Sequence, residues 1–208
     1  MILYIMEHET VWNEIASSWK EYRQKTPVAV LEFLSGKKGK VLDLGCGSGR
    51  NFILSSGISY YGVDFSSPMI DLARKTAKEK GIDLVEIKKA EVFETSYPSE
   101  FFDYVVCFSV VNCIDSEEKR KKTLEEIFRV LKKGGSVLIC SWGRGSSRIK
   151  NCKKECYINW TIDENRKVRR YTYIYDLNEL EDLCSEVGFE IVKSWEDGNV
   201  CLVLRKSF

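Results

Sequence analysis

The stretch Val41-Leu42-Asp43-Leu44-Gly45-Cys46-Gly47-Ser48-Gly49-Arg50 constrains this chain more than any other. A short apolar run that stops at three alternate glycines reads as a buried strand turning sharply at its end. Glycine alone combines positive φ with room for a close neighbour. A second apolar segment, Tyr60-Tyr61-Gly62-Val63, ends on the acid Asp64. Strand, glycine turn, then strand with an acid at its tip is the expected local order.

That order fits a nucleotide-binding βαβ crossover, in which an acid about 20 residues after the glycines takes ribose hydroxyls. The dinucleotide fingerprint puts its third glycine three positions after its second, but here that position is Arg50 and the third glycine is Gly49. Asp43 also lies inside the turn, where a carboxylate repels phosphate and attracts an ammonium or sulfonium group. S-adenosylmethionine carries both cations and no phosphate, and it is the expected cofactor.

The chain has 208 residues, 44% of them hydrophobic, enough for one domain with an ordinary core. No stretch reaches the roughly 18 apolar residues of a membrane span, and Met1 to Met6, followed at once by Glu7, His8 and Glu9, does not read as a signal peptide. Five of the eight cysteines, Cys46, Cys107, Cys113, Cys140 and Cys201, lie in or beside apolar runs. They are expected to be free and buried, which fits a reducing cytoplasm. Cys152 and Cys156 have a metal-like separation without a second pair or a neighbouring histidine, so no metal site is expected. The net charge of +1 exerts no global pull on nucleic acid.

Val11, Trp12, Ile15 and Trp19 recur at helical steps and predict a helix from about Thr10 to Tyr22. Pro27 opens a second, which stops at Gly36. The pattern then predicts strand 41–44, helix 50–56, strand 59–63, helix 67–80, strand 83–88, strand 103–109, helix 116–131 and strand 135–141. That alternation is the signature of an α/β fold with a mostly parallel sheet and helices on both faces. Periodicity is lost from Gly143 to about Arg170. Nine basic residues (Arg144, Arg148, Lys150, Lys153, Lys154, Arg166, Lys167, Arg169, Arg170) face three acids there, as in an insertion or substrate loop. Helix 176–187 and a hairpin of strands 189–195 and 200–204 complete the chain.

Taken together, Val41 to Gly49, Gly62-Val63-Asp64, Phe102-Asp103-Tyr104-Val105-Val106 and Leu131-Lys132-Lys133-Gly134-Gly135 resemble the successive motifs of class I S-adenosylmethionine-dependent methyltransferases. The resemblance implies one Rossmann-like domain over 1–208, with N-terminal helices in 1–36, a cofactor core in 37–142, the basic segment in 143–175 and a C-terminal helix and hairpin in 176–208. It implies a seven-stranded sheet of order 3-2-1-4-5-7-6 with the last strand antiparallel. The cofactor set it implies is Asp43, Gly45, Cys46, Gly47, Gly49, Asp64, Phe65, Ser66, Glu91, Val92, Phe108 and Ser109, with Glu91 near the adenine amino group.

A narrower resemblance lies at both ends. Val11-Trp12-Asn13-Glu14-Ile15-Ala16, Tyr22-Arg23-Gln24-Lys25-Thr26-Pro27, Cys140-Ser141-Trp142-Gly143, Arg170-Tyr171-Thr172-Tyr173-Ile174-Tyr175, Glu179-Leu180 and Gly188-Phe189 are similar to the tRNA wobble-uridine carboxymethyl methyltransferases. The implied reaction is esterification of 5-carboxymethyluridine. Val110-Val111-Asn112-Cys113 departs from that family, which often has a pair of histidines there. The resemblance implies a substrate set of Arg23, Asn112, Trp142, Arg144, Arg169, Arg170 and Tyr171, with Arg23 as the group that holds the acceptor carboxylate. It also implies a small zinc-containing activator subunit as partner, and an apolar edge strand at 83–88 is expected to receive it.

A carboxylic acid with a pKa of about 4 is already ionised at neutral pH, so its methylation needs alignment and dehydration more than a base. This agrees with a single histidine, His8, far from the glycine turn in sequence. Basic side chains of 144–170 and the aromatics Trp142, Tyr157, Trp160, Tyr171 and Tyr173 are expected to meet tRNA. The run Lys119-Arg120-Lys121-Lys122 reads as a solvated helix face. Two other readings remain open at this point: methylation of a small molecule, and a cofactor-binding scaffold without catalysis.

Overall fold

The computed structural model describes residues 8–146, 149, 152–164 and 166–207. Met1 to Met6, and with them any reading of the chain's opening, lie outside the described residues, as do Arg148 and Lys150 of the basic segment.

Seven strands form one sheet: β1 (Gly39–Leu44), β2 (Ile58–Asp64), β3 (Leu84–Lys89), β4 (Phe102–Phe108), β5 (Leu131–Trp142), β8 (Phe189–Glu196) and β9 (Asn199–Lys206). Their order is β3-β2-β1-β4-β5-β9-β8, with β9 antiparallel to both neighbours. This is the predicted order, with an inserted hairpin shifting the last two strand numbers.

Successive side chains point to opposite faces of a strand, so adjacent apolar residues build two cores. Leu42, Leu44, Val63, Val105 and Ile139 pack with α4 (Glu117–Val130) and α5 (Leu177–Val187). Val41, Tyr60, Val106 and Leu138 pack with α2 (Val28–Leu34) and α3 (Ser67–Lys80). Each fully buried aliphatic such as Leu42 or Ile127 contributes about 1.5–3 kcal/mol. The helices start and stop on local chemistry. The Ser66 hydroxyl accepts from Met69 N–H at the start of α3, Gly81 ends that helix at φ +65°, and Asp176 with Glu179 forms a capping box on α5.

Three expectations are corrected. No helix forms over 50–56: after a turn at Arg50 and Asn51 the chain runs irregularly into β2. Asn51 is drawn inward to Asp43, Ile53 N–H donates to the Tyr60 hydroxyl and Leu54 is exposed, so the segment spends its polar groups on the sheet instead of on a helical turn. The segment 143–170 is not an aperiodic loop, because β6 (Glu155–Thr161) and β7 (Lys167–Tyr173) pair as a separate antiparallel hairpin. The free-thiol expectation holds at Cys46, Cys107 and Cys113 but fails at Cys140 and Cys201, which form a disulfide because β5 and β9 place them opposite one another, 4.2 Å apart at Cα. A second disulfide joins Cys152 and Cys156.

Candidate cofactor and acceptor site

The carboxyl ends of β1, β2 and β4 converge on a cavity of about 190 Å³, where ligands of open α/β sheets bind. The turn after β1 forms its floor. Gly45, Gly47 and Gly49 have φ of +69°, +51° and +80°. A Cβ on Gly45 would stand 2.5 Å from Val110 Cγ2, and one on Gly49 would stand 2.9 Å from the Phe52 ring. Gly47 differs: among the described residues a Cβ there would meet only Trp19 Nε1, at 4.0 Å.

Asp64 closes the floor. Its carboxylate accepts from Gly47 N–H at 2.8 Å and Ser66 N–H at 2.9 Å. Burial pushes its pKa up to about 6, against the lowering effect of those bonds. Asp43 sits behind the turn, fully buried, with Oδ1 accepting from Asn51 Nδ2 at 2.9 Å. Burial raises its pKa to about 7.

Gly45, Cys46, Gly47, Asp64, Phe65, Glu91, Val92, Phe108 and Ser109 of the predicted cofactor set line the cavity. Asp43, Gly49 and Ser66 do not. They support the lining residues: Asp43 holds Asn51, Gly49 admits Phe52 and Ala73, and Ser66 caps α3 while its N–H fixes Asp64.

The opposite wall comes from α1 (His8–Tyr22), whose His8, Glu9, Trp12 and Trp19 face the turn. Sequence reading missed these residues, as it missed Arg50, Asn51, Asp115 and Lys119. Burial lowers the His8 pKa despite the opposing Asp115 carboxylate, so the imidazole is neutral at pH 7. Lys119 borders the cavity and Arg120 is buried, donating to Ile114 O, so only Lys121 and Lys122 match the expected solvated face.

The predicted substrate residues divide. Asn112 is fully buried, its amide donating to Thr172 Oγ1 at 3.2 Å, and it is not among the residues that line this cavity. Trp142 is buried beside Ile149 and Ile174. Arg144 is held by Asp176 in an exposed ion pair. Arg170 is buried, its guanidinium 5.0–5.9 Å from the rings of Trp12, Trp19, Trp142 and Trp160, a cation–π environment. Arg23 approaches Trp19 too, at 5.1 Å. Arg169 is exposed and Tyr171 buried. The hairpin is tied to α1 by Trp160 Nε1 donating to Ser18 Oγ and by an ion pair of Arg166 with Glu14.

The residues present fit S-adenosylmethionine. Gly47 leaves room for close approach, the Asp64 carboxylate supplies acceptors, and Phe65 and Val92 offer apolar walls suited to a base. Acids and backbone surround the turn, and no phosphate cradle of the dinucleotide kind is built, since Arg50 replaces the glycine it needs. The sheet order and this site define an S-adenosylmethionine-dependent methyltransferase. Residues 35–179 match the family model described as a methyltransferase domain, and the chain belongs to that family.

Among relatives, a protein of Encephalitozoon cuniculi that carries a methyltransferase name is 29% identical over 174 residues, covering 80% of this chain and 78% of its own. A tRNA (carboxymethyluridine(34)-5-O)-methyltransferase of Arabidopsis thaliana is 36% identical over 102 residues, 49% of this chain and 24% of that protein, so the match spans about a quarter of the relative. Among solved structures, a methyltransferase of Haloferax volcanii in complex with the Trm112 methyltransferase activator superposes with a TM-score of 0.70 at 16% identity, covering 99% of this chain and 100% of that one. That last likeness shows the fold.

Proposed function

We propose that this chain methylates a carboxylate of tRNA, that of 5-carboxymethyluridine at the wobble position. The observation that carries the reading is the convergence of Arg23 and Arg170 on Trp19, each guanidinium carbon 5.1 Å from its ring. Both also act on Cys113 in the cavity wall, opposing the burial that pushes its thiol up to about 11. Two guanidinium groups beside a methyl-donor cavity suit an anionic acceptor, because the planar fork binds carboxylate and phosphate alike. The 36% identity to the Arabidopsis relative over 102 residues supports a carboxymethyl group as that anion.

When bound, the cofactor supplies an electrophilic methyl group on a sulfonium. The chain's own residues then have to orient and dehydrate. Arg23 and Arg170 hold the acceptor carboxylate, which needs no base because it is ionised at neutral pH. Trp12 and Trp19 exclude water from the side of the cavity opposite the glycine turn. A small activator is proposed as a further partner, since a fold relative is in complex with the Trm112 methyltransferase activator, and the exposed edge of β3 is its proposed docking place.

Incubation of the chain, with and without the activator, with labelled S-adenosylmethionine and bulk tRNA tests the reading. Label released from tRNA by mild base supports an ester. Label appearing only on small molecules overturns it in favour of metabolite methylation, and cofactor binding without transfer favours a scaffold.

A further inference from the structure

Beside the cofactor cavity lies a second one of about 60 Å³, and the two share His8 and Asp115 as walls. A water needs about 10–15 Å³ by the same measure, so this space has room for a small group such as a phosphate. Its other walls include Tyr157, Arg169, Arg170 and Tyr171.

The hairpin explains how these residues meet. Tyr157 pairs with Tyr171 and Asn159 with Arg169 across β6 and β7, which sets Tyr157 diagonal to Arg169. The Arg169 guanidinium lies 5.5 Å from the Tyr157 ring, and the Tyr157 and Tyr171 rings meet edge-on at 5.8 Å. Tyr157 is 52% exposed, a large aromatic face left to solvent beside the Arg169 guanidinium. Arg169 and Arg170 follow one another on β7 and so point to opposite faces, the Arg169 guanidinium to the Tyr157 ring and the Arg170 guanidinium to the four tryptophans, and Arg169 is the cation presented here beside Asp115.

We infer that this pocket is a subsite for an RNA phosphodiester next to the acceptor nucleotide, with the adjoining base stacked on Tyr157. The inference rests on the tRNA reading above and deepens it. Stacking platforms paired with cations are how single-stranded RNA loops are held. The wall shared with the cofactor cavity makes the occupant a neighbour of the reacting residue, so the subsite selects an acceptor embedded in a chain over a free nucleoside.

The test uses the full chain and a synthetic anticodon stem-loop RNA. Binding is followed by filter retention at several salt concentrations, and cofactor affinity is measured in parallel to verify the fold. Arg169→Glu is expected to weaken RNA binding about tenfold and to lower the slope of log affinity against log salt by about one. Tyr157→Ala is expected to weaken binding at least fivefold with the slope unchanged, while Tyr157→Phe binds as the parent does. Loss of cofactor affinity in Arg169→Glu directs the measurement to Arg169→Gln, for which the same slope change is required. Unchanged RNA affinity and slope in Arg169→Glu or Arg169→Gln overturns the subsite, as does a parent chain that does not bind the RNA. RNA binding with these responses but no methyl transfer leaves the subsite standing and overturns the proposed reaction alone.

Discussion

The backbone N–H of Gly47 donates a 2.8 Å hydrogen bond to Oδ2 of Asp64, so the glycine turn and the acid at the tip of β2 form one unit. Ser66 N–H holds the other carboxylate oxygen at 2.9 Å. Removing the carboxylate therefore unmakes the floor as well as the polar contact it offers. Asp64→Ala is expected to weaken S-adenosylmethionine binding by about 2–3 kcal/mol, or roughly 30- to 150-fold, in calorimetric titration. Asp64→Asn, which keeps one acceptor, should lose less.

The same carboxylate gives the affinity a pH dependence. Burial raises its pKa to about 6, so in the free protein it gains a proton as pH falls through that value. Cofactor affinity is expected to be flat above about pH 7 and to decline below pH 6. Binding that stays constant from pH 8 to pH 5 would remove Asp64 from the contact.

Asp43 carries the larger cost. Its folded pKa of about 7 lies above the value of 3.8 for an unburied aspartate, so the folded state binds the proton more tightly than the unfolded state. Stability then falls as pH rises from about 4 to 7, and the penalty is fully present above 7. Asp43→Asn keeps the shape and can still accept from Asn51, yet removes the buried charge. Its melting temperature should exceed that of the parent at pH 8, by an increment worth a few kcal/mol, and the difference should vanish near pH 4. A cationic ligand beside the turn offsets the penalty, so the gain should shrink when S-adenosylmethionine is present.

The sheet was legible because alternating apolar residues and glycine stops carry a local signal: β1, β2 and β4 need only their own residues to be recognised. The far wall of the site was not, since Trp12 and Trp19 read as one side of an amphipathic helix and His8 as a residue far from the glycine turn, and nothing local says that this side covers a cavity floored by Gly47. The β6–β7 hairpin was hidden for a different reason. Cys156, Ile158 and Trp160 alternate with exposed residues, but the inward positions of β7 include Arg170, a charge made tolerable by Trp160 and by three tryptophans from distant segments, Trp12, Trp19 and Trp142. The disulfide of Cys140 with Cys201 spans 61 residues and depends on the β5–β9 register, which spacing cannot supply.

Gly45 permits a test of the turn that separates crowding from backbone strain. A Cβ at Gly45 would lie 2.5 Å from Val110 Cγ2, at a φ of +69°. Gly45→Ala therefore incurs both a clash and a left-handed conformation costing about 1–2 kcal/mol for an alanine. The single variant is expected to lose cofactor affinity at least tenfold and to melt lower. Adding Val110→Ala relieves only the clash, so the double variant should recover part of the affinity and keep a deficit of about 1–2 kcal/mol. Complete recovery in thermal melts and titrations would mean that φ at this position carries no strain.

The last prediction concerns the edge of the sheet. Among the described residues β3 pairs with β2 alone, which leaves a row of backbone donors and acceptors and a 53% exposed Val85. Edges of this kind are normally shortened, charged or covered. β3 has some protection in Glu86 and Lys88, which pair with each other at 3.7 Å, but an ion pair exposed to solvent contributes about 0–1 kcal/mol. A partner that adds a strand would satisfy the backbone row and bury Val85 together. The chain expressed alone is therefore expected to be poorly soluble and to gain both solubility and cofactor affinity on co-expression with the proposed activator. Val85→Pro removes a backbone donor and stiffens the edge, so it should abolish co-purification; Val85→Lys, which keeps the backbone, should weaken it less. A soluble monomer that binds S-adenosylmethionine and transfers methyl groups equally well alone would show that the edge needs no partner.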